Sequence, residues 1–118
     1  MDLRIADRDR SGVSGLDETL AVLADPTRRV VIDTLARGPQ SAGALATAAG
    51  TSPPAMSRHL RVLRRSGLVD ERTDSNDARV RIYSLQPDRL GDVRGWLDDV
   101  ERFWTAQLDA FTAHMGGR

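Results

Sequence analysis

Three times between residues 25 and 67 the chain spells the start and the end of a helix, which leaves room for little else. In "ADPTRRVVIDTLARG", Asp25 can cap, Pro26 suits the first helical position, and Gly38 suits the residue past the end. In "SAGALATAAG", Ser41 caps, Ala42, Leu45, Ala46 and Ala49 share one face, and Gly50 closes. In "SPPAMSRHLRVLRRSG", Ser52 caps, Pro53 sits where a missing backbone donor costs nothing, and Gly67 ends the run. The second and third of these helices are joined by a turn of three or four residues that contains glycine, which is the layout of a helix-turn-helix. The small side chains of the second let the third cross it closely.

The flanks complete the plan. Residues 1–14 read as a mobile charged arm, and Leu16, Leu20 and Leu23 give a short first helix. Val30, Val31, Ile32 and Leu35 make the next helix apolar on almost every side, so it is expected at the centre of the core. "LVDERT" and "RVRIYSL" read as two short strands joined by the polar turn "DSNDA". After Pro87, Leu90, Val93, Leu97, Val100, Trp104, Leu108, Phe111 and Met115 recur at steps of three or four. The expected architecture is mainly α with a small β-hairpin: about five helices in one domain.

The third helix carries an imbalance of charge. The whole chain has 17 Lys+Arg against 17 Asp+Glu, yet Arg58, Arg61, Arg64 and Arg65 stand together with His59 and no carboxylate. At about 100° per residue, Met56, Leu60 and Leu63 define its buried side. Opposite lie Pro54, Arg58, Arg61 and Arg65, with Ser57 and Arg64 on one flank and His59 and Val62 on the other. A merely solvated face mixes signs so that charges three or four residues apart attract, whereas these repel. As the second helix of a helix-turn-helix, this face would lie in a DNA major groove, where guanidinium matches both phosphate and guanine. Arg79 and Arg81, just past the hairpin turn, are placed for a wing that touches the adjacent backbone. Asp74 and Asp77 are expected to shape that turn or to orient Arg79.

Composition removes the competing chemistries. With no cysteine, disulfides, thiolate metal sites and cysteine nucleophiles are excluded. No placed nucleophile, buried carboxylate pair or glycine-rich phosphate loop supports an enzyme. His59, beside Leu60 and Leu63, reads as a partly buried, hydrogen-bonded residue rather than a base contact. His114 with Asp92, Asp98 or Asp99 of a partner is a poor metal site, because one histidine per subunit is thin support for a transition metal. No cofactor is implied. The N-terminal "MDLRIADRDRSGVS" has no signal-peptide core and every apolar run is too short to span a bilayer, so a cytoplasmic protein is expected.

From Ala24 to about Leu108 the chain resembles the ArsR/SmtB family of bacterial transcriptional regulators. The resemblance rests on "LADPTRRVVIDTLARGP", "SAGALATAAGTSPPAMSRHLRVLRRSGLV" and "DARVRIYSL" in that order. It implies a winged helix-turn-helix homodimer that binds a two-fold operator and often leaves it when an inducer binds. It also implies that the helix containing Ser57, Arg58, His59 and Leu60 reads DNA. The family's metal sensors carry cysteines where this chain reads "AGALATAAG", and others carry histidine ligands where it reads "PDRLGDVRGWLDDVERFW". A metal-sensing mechanism therefore does not carry over.

The last helix bears on oligomeric state. From Asp88 to Met115 it would be on the order of 40 Å long, against a radius of gyration of about 13 Å for a globule of this size. Leu90 to Leu97 are expected to fold onto the chain's own core. Beyond them the helix would overhang, and Trp96, Phe103, Trp104 and Phe111 are too apolar to leave in water. Leu16, Leu20, Val100, Phe103, Trp104, Leu108 and Phe111 are the expected dimerisation residues. Trp96, Phe103 and Trp104 would also suit an inducer pocket, although packing explains the same residues. Gly91 and Gly95 allow either a close helix approach or a bend. The expected organisation is an arm over 1–14, a DNA-binding core over 15–87 and a dimerisation helix over 88–118. The expected DNA contacts are Ser52, Pro54, Ser57, Arg58, Arg61, Arg64, Arg65, Arg79 and Arg81. Two other readings compete with this one: a dimeric protein-interaction module whose arginines merely solubilise, and a regulator responding to metal without cysteines.

Overall fold

The computed structural model describes residues 10–116. Its elements are α1 (Arg10–Leu23), α2 (Pro26–Leu35), β1 (Gln40–Ser41), α3 (Ala42–Ala49), α4 (Pro53–Arg65), β2 (Val69–Thr73), β3 (Arg81–Leu85) and α5 (Asp88–Gly116). The helix starts are the ones spelled by the sequence. Asp25, Ser41 and Ser52 each adopt extended backbone, and each side chain accepts from the amide three residues on. The arm expected over residues 1–14 lies mostly outside the described residues, but α1 already begins at Arg10.

Two glycines close helices in the same way. At Gly50 φ is 64° and at Gly67 it is 80°, left-handed values that a side chain rarely tolerates. After α3, the amides of Gly50 and Thr51 return to the carbonyls of Thr47 and Ala46 at 3.1 and 3.0 Å. After α4, those of Gly67 and Leu68 return to Arg64 and Leu63 at 3.1 and 3.0 Å. The first of these stops reverses the chain within three residues, so that α4 crosses α3.

The core is what this crossing encloses. Val31 and Leu35 of α2, Leu45 and Ala46 of α3, and Met56, Leu60 and Leu63 of α4 meet Leu68, Val69 and Tyr83 of the sheet. Leu45, Met56, Leu60, Leu63 and Leu68 are at most 2% exposed. Each such side chain contributes roughly 1.5–3 kcal/mol of burial. Ala42 and Ala49 pack against the same cluster, as their shared face requires. One expectation fails here: Val30 is 36% exposed, so α2 is central but not buried all round.

The sheet has three strands in the order β1-β3-β2, both pairings antiparallel. The hairpin of β2 and β3 is as expected; β1, which pairs Gln40 with Tyr83 and Ser41 with Ile82, was not foreseen. Register places Val69, Glu71 and Thr73 opposite Leu85, Tyr83 and Arg81.

The 29-residue α5 is about 44 Å long and packs its first turns against α1. Leu90 reaches the core. Leu97, expected there too, is 51% exposed because the helix has by then passed the edge of the globule. Beyond it Val100, Phe103, Trp104, Leu108 and Phe111 are all exposed. A Cβ built at Gly91 or Gly95 would meet nothing within 4 Å, so neither glycine serves a close approach inside this chain. The long axis of the molecule is 71 Å and its radius of gyration 19.3 Å.

Candidate nucleic-acid interface

The phasing of α4 follows the sequence. Met56, Leu60 and Leu63 are buried, while Pro54, Ser57, Arg58, Arg61, Arg64 and Arg65 are exposed. Among the described residues the guanidiniums of Arg58, Arg61 and Arg65 have no ion pair and no hydrogen-bond partner. Arg61, Arg64 and Arg65 line an open groove against Val69, Asp70 and Glu71 of the sheet.

The start of α4 is unusual in what it lacks. Helix N-termini ordinarily offer backbone N–H groups to phosphate. Here Pro53 and Pro54 have none, the amide of Ala55 bonds Ser52 Oγ at 3.3 Å, and that of Met56 bonds the Ser52 carbonyl at 2.9 Å. An anion at this end is left to side chains. Ser52 Oγ accepts the capping bond, so its hydroxyl proton stays free to donate outward.

Three expected contacts are not uncompensated. Arg64 Nη1 lies 2.9 Å from Glu71 Oε1, and Arg81 Nε lies 3.8 Å from Glu71 Oε2. Tyr83 donates its hydroxyl to the same carboxylate at 3.0 Å. Burial, reinforced by this carboxylate, holds the Tyr83 phenol above its ordinary range. Arg79 is engaged by Asp77, which accepts from its amide at 3.0 Å and from Nε and Nη2 at 3.2 and 3.3 Å. That fork holds the Asp77 carboxyl below its usual value. Asp77 thus orients Arg79, as expected. The unpaired ridge is therefore narrower than the sequence implied: Arg58, Arg61 and Arg65 form it, while Arg64, Arg79 and Arg81 are exposed but shared with acids.

Glu71 is the residue the sequence reading missed. It ties the end of the arginine helix to the wing, and only register reveals this, because Glu71 stands opposite Tyr83 on the face that meets α4. Arg28 is the second omission. Its Nε donates to the Val22 carbonyl at 2.8 Å and its Nη1 lies 3.3 Å from His59 Nδ1. Its amide also caps onto Asp25, holding that carboxyl below its ordinary value. His59 is, as expected, partly buried and hydrogen-bonded.

Among the described residues, no group of three or more His, Cys, Asp or Glu is placed to hold an ion, and no helix is long and apolar enough to cross a membrane. On α5, Phe103 and Trp104 stand open to solvent, and an open groove nearer the start of the helix is lined by Pro87, Leu90, Gly91, Val93, Arg94 and Leu97.

Comparison with known proteins bears on this geometry. Residues 23–72 match a family described as a helix-turn-helix domain. An HTH-type transcriptional regulator of Mycobacterium tuberculosis, Rv2034, is 39% identical over 95 residues, covering 80% of this chain and 83% of that protein. The transcriptional repressor SdpR of Bacillus subtilis is 29% identical over 82 residues, 70% of this chain and 88% of that one. The solved structure of an ArsR-like transcriptional regulator from Rhodococcus sp. RHA1 superposes with a TM-score of 0.68 at 29% identity. It covers 84% of this chain and 91% of its own.

Proposed function

This chain belongs to the winged helix-turn-helix transcriptional regulators of the ArsR family, and on that premise we propose that it is a cytoplasmic repressor binding a two-fold operator as a homodimer. The family acts by binding DNA and is not enzymatic. One observation carries the finer reading: the face of α4 opposite its buried leucines presents three guanidiniums that the described residues leave unpaired. Arg58 and Arg61, with Ser57, face base edges or adjacent phosphates. Pro54 lies at the same surface. Ser52 and Arg65 take backbone phosphates, joined by Arg64 and Arg81 once DNA competes with Glu71. Arg79, already oriented by Asp77, reaches phosphate from the wing.

The second copy follows from α5. Its apolar stripe runs on past the globule, and α1, the helix that carries Leu16 and Leu20, packs against its first turns. The division of labour is then residues 15–87 for reading and 88–118 for pairing, with α1 contributing to both. Pairing stripe to stripe removes Phe103, Trp104, Leu108 and Phe111 from water. A two-fold operator then calls for two α4 helices about 34 Å apart, the spacing of successive major grooves on one side of a duplex. The test is a titration of the protein against DNA from upstream of its own gene and against random duplex, at two salt concentrations. Discrimination between the two supports the reading; equal binding, or none, contradicts it.

A further inference from the structure

The recognition helix is held at both flanks by ties that neither the sequence motifs nor the operator reading requires. On one flank Arg64 reaches Glu71 of the sheet. On the other His59 meets Arg28, a residue 31 positions earlier that stands in the first turn of α2. Arg28 is not simply a neighbour. Its Nε donates at 2.8 Å to the carbonyl of Val22, one of the last in α1 and without an intrahelical donor, and Arg29 does the same for Leu23 at 2.7 Å. No glycine closes α1. The two arginines supply its C-terminal cap and complement the negative end of its dipole. One guanidinium, carried on the first turn of α2, thus joins the end of α1 to the middle of α4.

Guanidinium only donates, so Nδ1 of His59 is the acceptor and the ring proton is carried on Nε2. The contact therefore specifies a tautomer and a ring orientation as well as a distance. The leverage is geometric. A roll of α4 by about 20° moves a side-chain tip about 6 Å from its axis by about 2 Å, more than a hydrogen bond tolerates. Arg58 adjoins His59 in the chain, so whatever sets the roll at His59 sets the reach of Arg58.

We propose that Arg28 is a positioning residue for DNA reading: by holding His59 Nδ1 while it caps α1 at Val22, it fixes the roll of α4 and so the aim of Arg58. The inference rests on the DNA-reading role of α4 and names a residue outside the surface that would touch DNA.

The test uses the full chain and a duplex that the wild type selects from a random library. Arg28→Ala and His59→Ala should each weaken binding to that duplex roughly tenfold, the scale of one imperfect base contact. The double variant should bind no worse than the weaker single, because both remove one interaction. His59→Asn, which keeps an acceptor where Nδ1 stands, should bind within about threefold of wild type by the same logic. Nitrogen NMR of the His59 ring should show a bare Nδ1 in the wild type and a mixture of tautomers in Arg28→Ala. Unchanged affinity in either alanine variant, additive losses in the double, or an unaltered His59 tautomer would overturn the proposal. Should Arg28→Ala unfold for want of its α1 cap, His59→Ala, which leaves the Val22 bond intact, decides alone. A wild type that selects no duplex refutes DNA reading itself, and this inference with it.

Discussion

Helices α4 and α5 are both amphipathic, yet each leaves the opposite kind of face unpartnered. In α4 the apolar side is sealed against the core, with Met56 and Leu63 at 0% exposure, and the charged side is open. In α5 beyond Leu97 the apolar side is the open one, with Phe103 at 67% and Trp104 at 61%. Its charges are in part self-satisfied, as in the pairs Arg89 with Asp92 and Arg102 with Asp99. Unpaired like charges call for a polyanion and an uncovered aromatic stripe calls for another apolar surface. The chain therefore advertises two partners of different chemistry at two separate places, and a dimer on DNA satisfies both.

The sharpest way to break the comparison is to place charge in the open stripe. With α5 as the proposed pairing surface, the wild type should run as a dimer in light scattering and Phe103→Glu combined with Trp104→Glu as a monomer. Operator affinity should fall by at least about a hundredfold, since buried aromatic anchors carry 2 kcal/mol or more apiece. Retention of the dimer would mean that the stripe is not the pairing surface.

The next effect is on the other helix. Arg58→Ala should cost about 1–3 kcal/mol on the selected duplex and far less on random DNA, measured by fluorescence anisotropy. A smaller effect of opposite sign comes from the acid between helix and wing. Glu71→Gln releases Arg64 and Arg81 in the free protein, so binding should strengthen a few-fold with little change in its salt slope, because both arginines reach phosphate in the complex either way. Thermal stability should fall by about 1–3 kcal/mol, because the Glu71 side chain is only 17% exposed and its charge is shared by Arg64, Arg81 and the Tyr83 hydroxyl. The last change bears on stability and not on DNA, and tests a helix cap. Asp25→Ala should cost about 1 kcal/mol of stability near neutral pH. The folded Asp25 carboxyl titrates below its ordinary value of 3.8, so the deficit should persist above that pH. It should narrow as pH falls through the folded value, where the wild type loses the charged cap.

Local physics decides which parts of this molecule were legible in the sequence. Caps and stops are written in the residues that make them, which is why Asp25-Pro26, Ser41, Ser52-Pro53, Gly50 and Gly67 placed helices α2 to α4 correctly. The overhang of α5 followed from its length alone. Strand β1 was illegible because Gln40 and Ser41 join the sheet through backbone bonds, with no side-chain period to betray them. Val30 escaped because four apolar residues in near succession hide which one faces outward. The candidate site was legible as a face and illegible as a network. Phasing located Arg58, Arg61 and Arg65 on the outside, but the hold of Glu71 on Arg64 and Arg81 depends on cross-strand register. The hold of Arg28 on His59 depends on a contact between helices, which spacing does not encode.

The central claim, that the unpaired ridge of α4 is a DNA surface, is tested most directly by its electrostatics. The logarithm of the binding constant should be measured against the logarithm of salt concentration for wild type and for Arg58→Ala/Arg61→Ala/Arg65→Ala. Each lost phosphate contact flattens the slope by about 0.9; with Arg58 on a base and Arg61 and Arg65 on phosphate, the triple variant should lie roughly two units shallower and lose preference for the selected duplex. A triple variant with the wild-type slope and preference would place the DNA surface elsewhere on the molecule.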